Sequence, residues 1–211
     1  MARKNRIHIP GLSLHVIHRG VNHTAIFGDD ADRELFLAHL EAAMARFAVA
    51  IHVFVLMSTH YHLIVTPESA SALPNAMRQL GMRYVRYYNR KYDRIGTLWT
   101  GRYTGLFIWD ELYWLTCVRY IEMNPVRAQM VTRPEDYRWS SYHAHALGER
   151  VPWLTEHTVY TGLGSTDDER RTAYRALCGQ PLTEAELVRQ RLGTQSPEPL
   201  RPYSVLTATP P

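Results

Sequence analysis

Cysteine is scarce in this chain of 211 residues: only Cys117 and Cys178 occur. Two isolated thiols give neither a disulfide framework nor the CxxC spacing of a zinc site, so a reducing, cytoplasmic setting is expected. No apolar run approaches the roughly 20 residues that a membrane-spanning helix needs. The opening residues Met1, Ala2, Arg3, Lys4, Asn5 and Arg6 lack the apolar stretch of a secretory signal. No internal repeat is visible. Acidic residues are thin in one region: between residues 78 and 102, Arg78, Arg83, Arg86, Arg90, Lys91, Arg94 and Arg102 are opposed by Asp93 alone. The net charge of the whole chain is only +4. The basic bias is therefore local, as a surface that meets phosphates requires.

What is present is a regular alternation of patterns. Leu12, Leu14 and Val16 alternate with Ser13, His15 and Ile17, which predicts a first strand over residues 12–20. Asp29, Asp30 and Asp32 precede apolar residues at helical spacing, predicting a helix over 30–47. A β-branched run over 49–57, a short turn at Ser58 and Thr59, and a second run over 60–66 read as a hairpin. A long amphipathic helix follows over 73–92, then a loop, a strand over 103–109, and a helix beginning at Asp110 that Pro125 ends or kinks. The order β-α-β-β-α-β-α is that of a ferredoxin-like α+β domain: a four-stranded antiparallel sheet with helices on one face, and one helix more. Residues 1–147 are expected to form the main domain. Residues 148–211 are expected to form a helical C-terminal extension, with helices over 167–178 and 183–192 and an irregular tail over 196–211 holding five prolines.

Three side-chain types stand where chemistry is possible. His60 and His62 flank Tyr61 on a strand, so both imidazoles share one face about 6.6 Å apart and can converge on one ion. Chance could also supply such a pair, since the chain has 11 histidines and His143 and His145 repeat the spacing. His15, His18 and His23 are read as structural or surface residues. Tyr120 and Asn124 are four apart on one helix and so share a face. A phenol titrates near 10 and attacks only where a cation or a polarised phosphate helps it. An amide oxygen suits a hard divalent ion. Equally, tyrosine on a helix is ordinarily packing, and asparagine before proline is ordinarily a turn residue.

Taken together these residues resemble a known family. The stretch from Val53 through His60, Tyr61 and His62 to Val65 is similar to the HUH signature of single-tyrosine transposases. The stretch Arg119, Tyr120, Ile121, Glu122, Met123, Asn124, Pro125, Val126, Arg127, Ala128 resembles the tyrosine helix of their REP-associated branch. Tyr88 to Tyr92, Gly96 to Tyr103 and the opening Arg6 to Gly11 resemble that branch as well. Two departures stand out. Ser58 and Thr59 replace a common Pro-Asn, which is expected to alter only the turn, and Asn124 stands where the insertion-sequence branch commonly has Gln.

The resemblance implies a metal-dependent enzyme that cleaves and rejoins single-stranded DNA, with Tyr120 as nucleophile and His60, His62 and Asn124 as ligands of Mg²⁺ or Mn²⁺. It implies a covalent 5′-phosphotyrosine linkage, hairpin-containing DNA as partner, no membrane, and a monomer or homodimer. Arg3, Lys4, Arg6, Arg83, Arg86, Arg90, Lys91, Arg94 and Arg102 are the candidate DNA contacts. The tyrosines interleaved among them (Tyr84, Tyr87, Tyr88 and Tyr92) either stack on bases or belong to the core. A non-catalytic DNA-binding regulator of the same fold, another HUH nuclease and a metal hydrolase unrelated to DNA remain as alternatives.

Overall fold

The period-two segments pair as one sheet. In the computed structural model, which describes residues 8–195 and side chains over 8–190, β1 (Leu14–Arg19), β2 (Val49–Leu56), β3 (His60–Pro67) and β4 (Thr104–Phe107) are all antiparallel, in the order β2-β3-β1-β4. The candidate DNA contacts Arg3, Lys4 and Arg6 and the proline-rich tail lie outside the described residues. The hairpin register sets Val55 opposite His62, and β1 sets Ile17 opposite His62 and Arg19 opposite His60. A bulge between Ile51 and Val53 frees His52 from that register.

Several of the helices begin where capping residues dictate. In α1 (Asp30–Arg46), Asp29 accepts a hydrogen bond from the Asp32 amide, and Asp32 reaches back to the Asp29 amide. Next comes α2 (Ala72–Lys91), then α3 (Glu111–Glu122), where Asp110 caps the Tyr113 amide. A second short helix, α4 (Asn124–Arg127), follows at once, with Pro125 in its first turn, where a missing N–H is harmless. The helix expected over 110–125 is thus broken at Met123, and Tyr120 and Asn124 belong to consecutive helices rather than one. Residues 139–147 give a single wide turn, His143–Leu147. The extension supplies α5 (Thr158–Thr161), α6 (Asp167–Cys178) and α7 (Glu184–Gln195). Among the described residues no helix is long and apolar enough to cross a membrane.

Helices cover both faces of the sheet, not the one face expected. Neighbouring strand residues point to opposite sides. Tyr61 packs against Phe36 of α1, whereas His62 packs against Tyr120 of α3. So α1 and α2 lie on one face and α3 on the other. In turn α6 and α7 pack on α3. Trp114 of α3 is fully buried; removing a ring of that size from water is worth roughly 3 kcal/mol.

A chain of polar groups fastens the extension to the sheet. His157 accepts from the Val159 amide through Nδ1, so its Nε2–H donates to Ser13 at 3.2 Å. Ser13 then donates to Thr66, Thr66 to His52 Nε2, and His52 Nδ1–H to the Thr155 carbonyl, each at 2.8 Å. Every member gives and receives once, which is the condition for burying such groups at little cost.

Candidate functional site

The face of β3 that looks toward α3 carries the site. His62 is fully buried and meets three partners. Its Nδ1 lies 2.8 Å from His15 Nε2, and its Nε2 lies 3.0 Å from the side-chain amide of Asn124. The Tyr120 ring stands edge-on, with centroids 5.7 Å apart. His60 follows at 5.0 Å between ring centroids. Its Nδ1 is 3.1 Å from the Thr59 hydroxyl, which leaves Nε2 for other work. The sequence led to the expectation that Thr59 alters only the turn; its hydroxyl also meets His60 and so helps to orient the ring.

Burial lowers the basicity of all three imidazoles. It takes His15 down to about 3, with Gln190 opposing and the charge of Arg19 adding to the fall. Burial, Arg19 and His23 bring His60 down to about 4. His62 falls well below its ordinary value through burial and then the neighbouring His15, His60, Arg19 and Arg127. Neutral imidazoles keep a lone pair, which a ligand needs.

Two cations border the site. Arg19 lies opposite His60 in the sheet. The Arg127 guanidinium sits 4.3 Å from the Tyr120 ring centroid and donates to the Tyr120 carbonyl at 2.8 Å. Below Tyr120, the buried carboxyl of Glu122 receives the hydroxyls of Ser141 (2.6 Å) and Tyr174 (2.8 Å). Burial raises it to about 7, against the pull of those hydroxyls.

The donor set suits a divalent cation. Two ligand atoms bound at about 2.1 Å in adjacent octahedral positions stand about 3.0 Å apart. That is the separation of His62 Nε2 and the Asn124 amide atom, and a half-turn of the amide puts oxygen in place of nitrogen. Among the described residues no group of three His, Cys, Asp or Glu side chains is placed to hold a metal ion. The candidate set is therefore two imidazoles and one amide, leaving positions for water and phosphate. The other HxH pair is structural: His143 Nε2 lies against the Glu135 carbonyl and His145 Nδ1 against that of Ser141.

The candidate DNA contacts are not gathered at this site. Arg83, Arg86 and Arg90 are exposed on α2, on the opposite face of the sheet. Arg94 lies 5.5 Å from the Tyr88 ring centroid. Lys91 is exposed and paired with Asp29 (2.7 Å) and Asp32 (2.6 Å), so much of its charge is met by these carboxylates. The tyrosines resolve toward the core. Tyr84 and Tyr88 donate to the carbonyls of Ile26 and Ala25, and Tyr87 and Tyr92 donate to Asp32. Arg102, with Arg78, Trp99 and Tyr103, lines a cleft of about 580 Å³ beside α2. His15, Arg19 and Arg127 were missed in the sequence. Alternation shows which face His15 and Arg19 occupy, but only the β1–β3 register brings them to the two histidines.

Comparison with known proteins follows the same lines. The sequence matches the family described as "Transposase IS200 like" over residues 8–124, more than half of the chain. Among solved structures, a REP-associated tyrosine transposase bound to a REP hairpin is similar at a TM-score of 0.60 and 17% identity, covering 75% of this chain and 93% of that one. At that identity the likeness is one of fold. A protein from Deinococcus radiodurans R1 described as a transposase gives a TM-score of 0.40 at 16% identity, covering 64% and 97%. The tRNA(His) guanylyltransferase of Saccharomyces cerevisiae gives 0.36 at 12%, covering 84% and 82%; neither carries an argument. No curated protein matches the sequence. On the family match, the chain belongs to the IS200-like transposases, enzymes that act on DNA.

Proposed function

We propose that the chain cleaves and rejoins single-stranded DNA through a covalent bond to Tyr120. The observation that carries this is the convergence of the Tyr120 ring and the Asn124 amide on one buried imidazole, His62, within a single chain. A divalent ion held by His60, His62 and Asn124, Mg²⁺ or Mn²⁺, would supply positive charge against a non-bridging oxygen of the scissile phosphate. The Tyr120 oxygen attacks phosphorus, forming the Tyr120–O–P bond as the P–O3′ bond breaks. The departing 3′ oxygen leaves as a hydroxyl, taking up a proton equivalent to the one the phenol gives up. Attack by a 3′-hydroxyl on the phosphotyrosine reverses the sequence and restores Tyr120. Arg127, over the Tyr120 ring, offsets charge on the phenol and on the phosphate it meets. Hairpin-containing DNA is the expected substrate, in line with the ligand of the structurally similar REP-associated enzyme.

The test uses labelled single-stranded oligonucleotides taken from the flanks of the gene, with Mg²⁺ or Mn²⁺ present or chelated. A covalent protein–DNA species should form only with metal, and Tyr120→Phe should abolish it. An adduct that persists in the Phe variant removes Tyr120 from its role. Salt-dependent binding without any adduct would assign the chain to DNA binding alone.

A further inference from the structure

The buried polar groups behind His62 form a line that the reaction itself does not use. His15 is completely buried on β1, with its ring edge-on to that of Tyr120. Its Nε2 meets His62 Nδ1 at 2.8 Å. Its other nitrogen, Nδ1, has no hydrogen-bond partner, and neither has Gln190 Oε1. The Gln190 side chain nonetheless stands near enough to His15 to oppose the loss of basicity that burial causes. Gln190 is itself fully buried, and its amide nitrogen donates to Cys117 Sγ at 3.3 Å.

One proton arrangement gives each group a complementary neighbour and leaves the His62 Nε2 lone pair for an ion. Gln190 donates to sulfur and so turns its oxygen toward His15. His15 then carries its proton on Nδ1, which leaves Nε2 as an acceptor. His62 must donate from Nδ1, and its Nε2 lone pair is left facing Asn124. Reversing one link alone strands a buried donor or acceptor, at a cost of about 1–3 kcal/mol; reversing the whole line, from the Cys117 thiol to a His62 Nε2–H that donates to Asn124 Oδ1, satisfies the groups as well but presents a proton where an ion needs a lone pair.

We propose that His15 is a positioning residue for the candidate metal ligand His62, and that Gln190 of the C-terminal extension holds His15 in turn. The role of His15 is to fix the tautomer and ring plane of His62, presenting Nε2 to the ion. The role of Gln190 is to bring the extension into the site as its backstop. This rests on reading His62 as a ligand, and the experiment separates the two claims.

Two measurements on the full chain decide it. The first is the ¹⁵N–¹H imidazole spectrum of the metal-free protein, which reports the tautomer directly. His62 should carry its proton on Nδ1 in the wild type and shift toward Nε2–H in His15→Leu. The second is Mn²⁺ binding by calorimetry. His15→Leu should weaken it about 10–100-fold, the usual effect of removing an outer-shell partner. His15→Gln, which keeps an acceptor at the same reach, should recover most of the loss. Gln190→Leu, a milder change that guards against misfolding of the His15 variants, should show a smaller loss in the same direction. If His15→Leu binds Mn²⁺ like the wild type while His62→Ala does not, His15 is only filler and the proposal falls. If His62 is found as the Nε2–H tautomer in the wild type, it falls as well. If His62→Ala binds Mn²⁺ normally, the ligand reading of His62 fails first, whatever the tautomer.

Discussion

At the scale of single residues, the site depends on where two cations and one phenol sit. Arg127 covers the Tyr120 ring from the next helix and is anchored by its bond to the Tyr120 carbonyl. Removing one such charge near a developing phosphorane typically costs about 10²-fold in rate. Arg127→Ala should therefore slow adduct formation by that order while leaving the melting temperature within a few degrees; cleavage at the wild-type rate would discard Arg127 as a participant. How far these residues were legible depended on local spacing. His60, His62, Tyr120 and Asn124 lie within two short motifs and could be picked out directly. His15 could not: it is 47 positions from His62, and nothing in its own neighbourhood distinguishes it from His18, which bonds Tyr61 and the Gly101 carbonyl on the other face. Arg127 was in plain view, but its position over the phenol depends on the helix break at Met123.

At the scale of elements, the α1–α2 pair is held by one buried carboxylate. Asp32 receives Lys91, Tyr87, Tyr92 and the Gly28 amide. A Cβ at Gly28 would lie 2.2 Å from the Tyr92 hydroxyl, so a larger residue there would have to displace the hydroxyl that bonds Asp32. Burial pushes the carboxyl of Asp32 up, but its donors outweigh that and hold it at about 2. The folded value is depressed, so the stabilisation is complete above the unfolded value near 4. It is lost as pH falls from about 4 through about 2. Asp32→Asn should cost roughly 1–2 kcal/mol at neutral pH, allowing for solvent around the Lys91 end. It should also flatten the acid limb of the stability curve in urea titrations at stepped pH; an unchanged acid limb would relieve Asp32 of this role. The strands and long helices were readable because their periods are local: the helix expected over 30–47 is Asp30–Arg46, and the strand over 60–66 is His60–Pro67. Which face α3 would cover was not. It buries Trp114, Cys117, Val118 and Ile121 around much of its girth, and a helix apolar on several sides does not say which neighbour goes where.

At the scale of the whole molecule, the extension is packed into the same apolar core as the sheet. Tyr160, Tyr174 and Cys178 are buried together with Trp114, Cys117 and Ile121 of α3. The tie is also polar: Tyr174 donates to Glu122, two residues beyond Tyr120, and Arg119 of α3 pairs with Glu186 of α7. Thermal unfolding followed by circular dichroism and by tryptophan fluorescence should give one coincident transition. Tyr174→Phe, which removes a donor from a buried carboxyl, should lower stability by about 1–3 kcal/mol. Two separated transitions would show that the extension folds apart from the sheet.

Along β3, Tyr61 serves the α1 side and the imidazoles on either side of it serve α3. Gain or loss of a single codon just upstream of this strand would exchange phenol for imidazole on both sides at once, emptying the site and planting polar rings beneath α1. Drift in this strand is therefore confined to exchange of one residue for another at constant length, whereas the exposed turn at Ile95, Gly96 and Thr97 is free of that restriction.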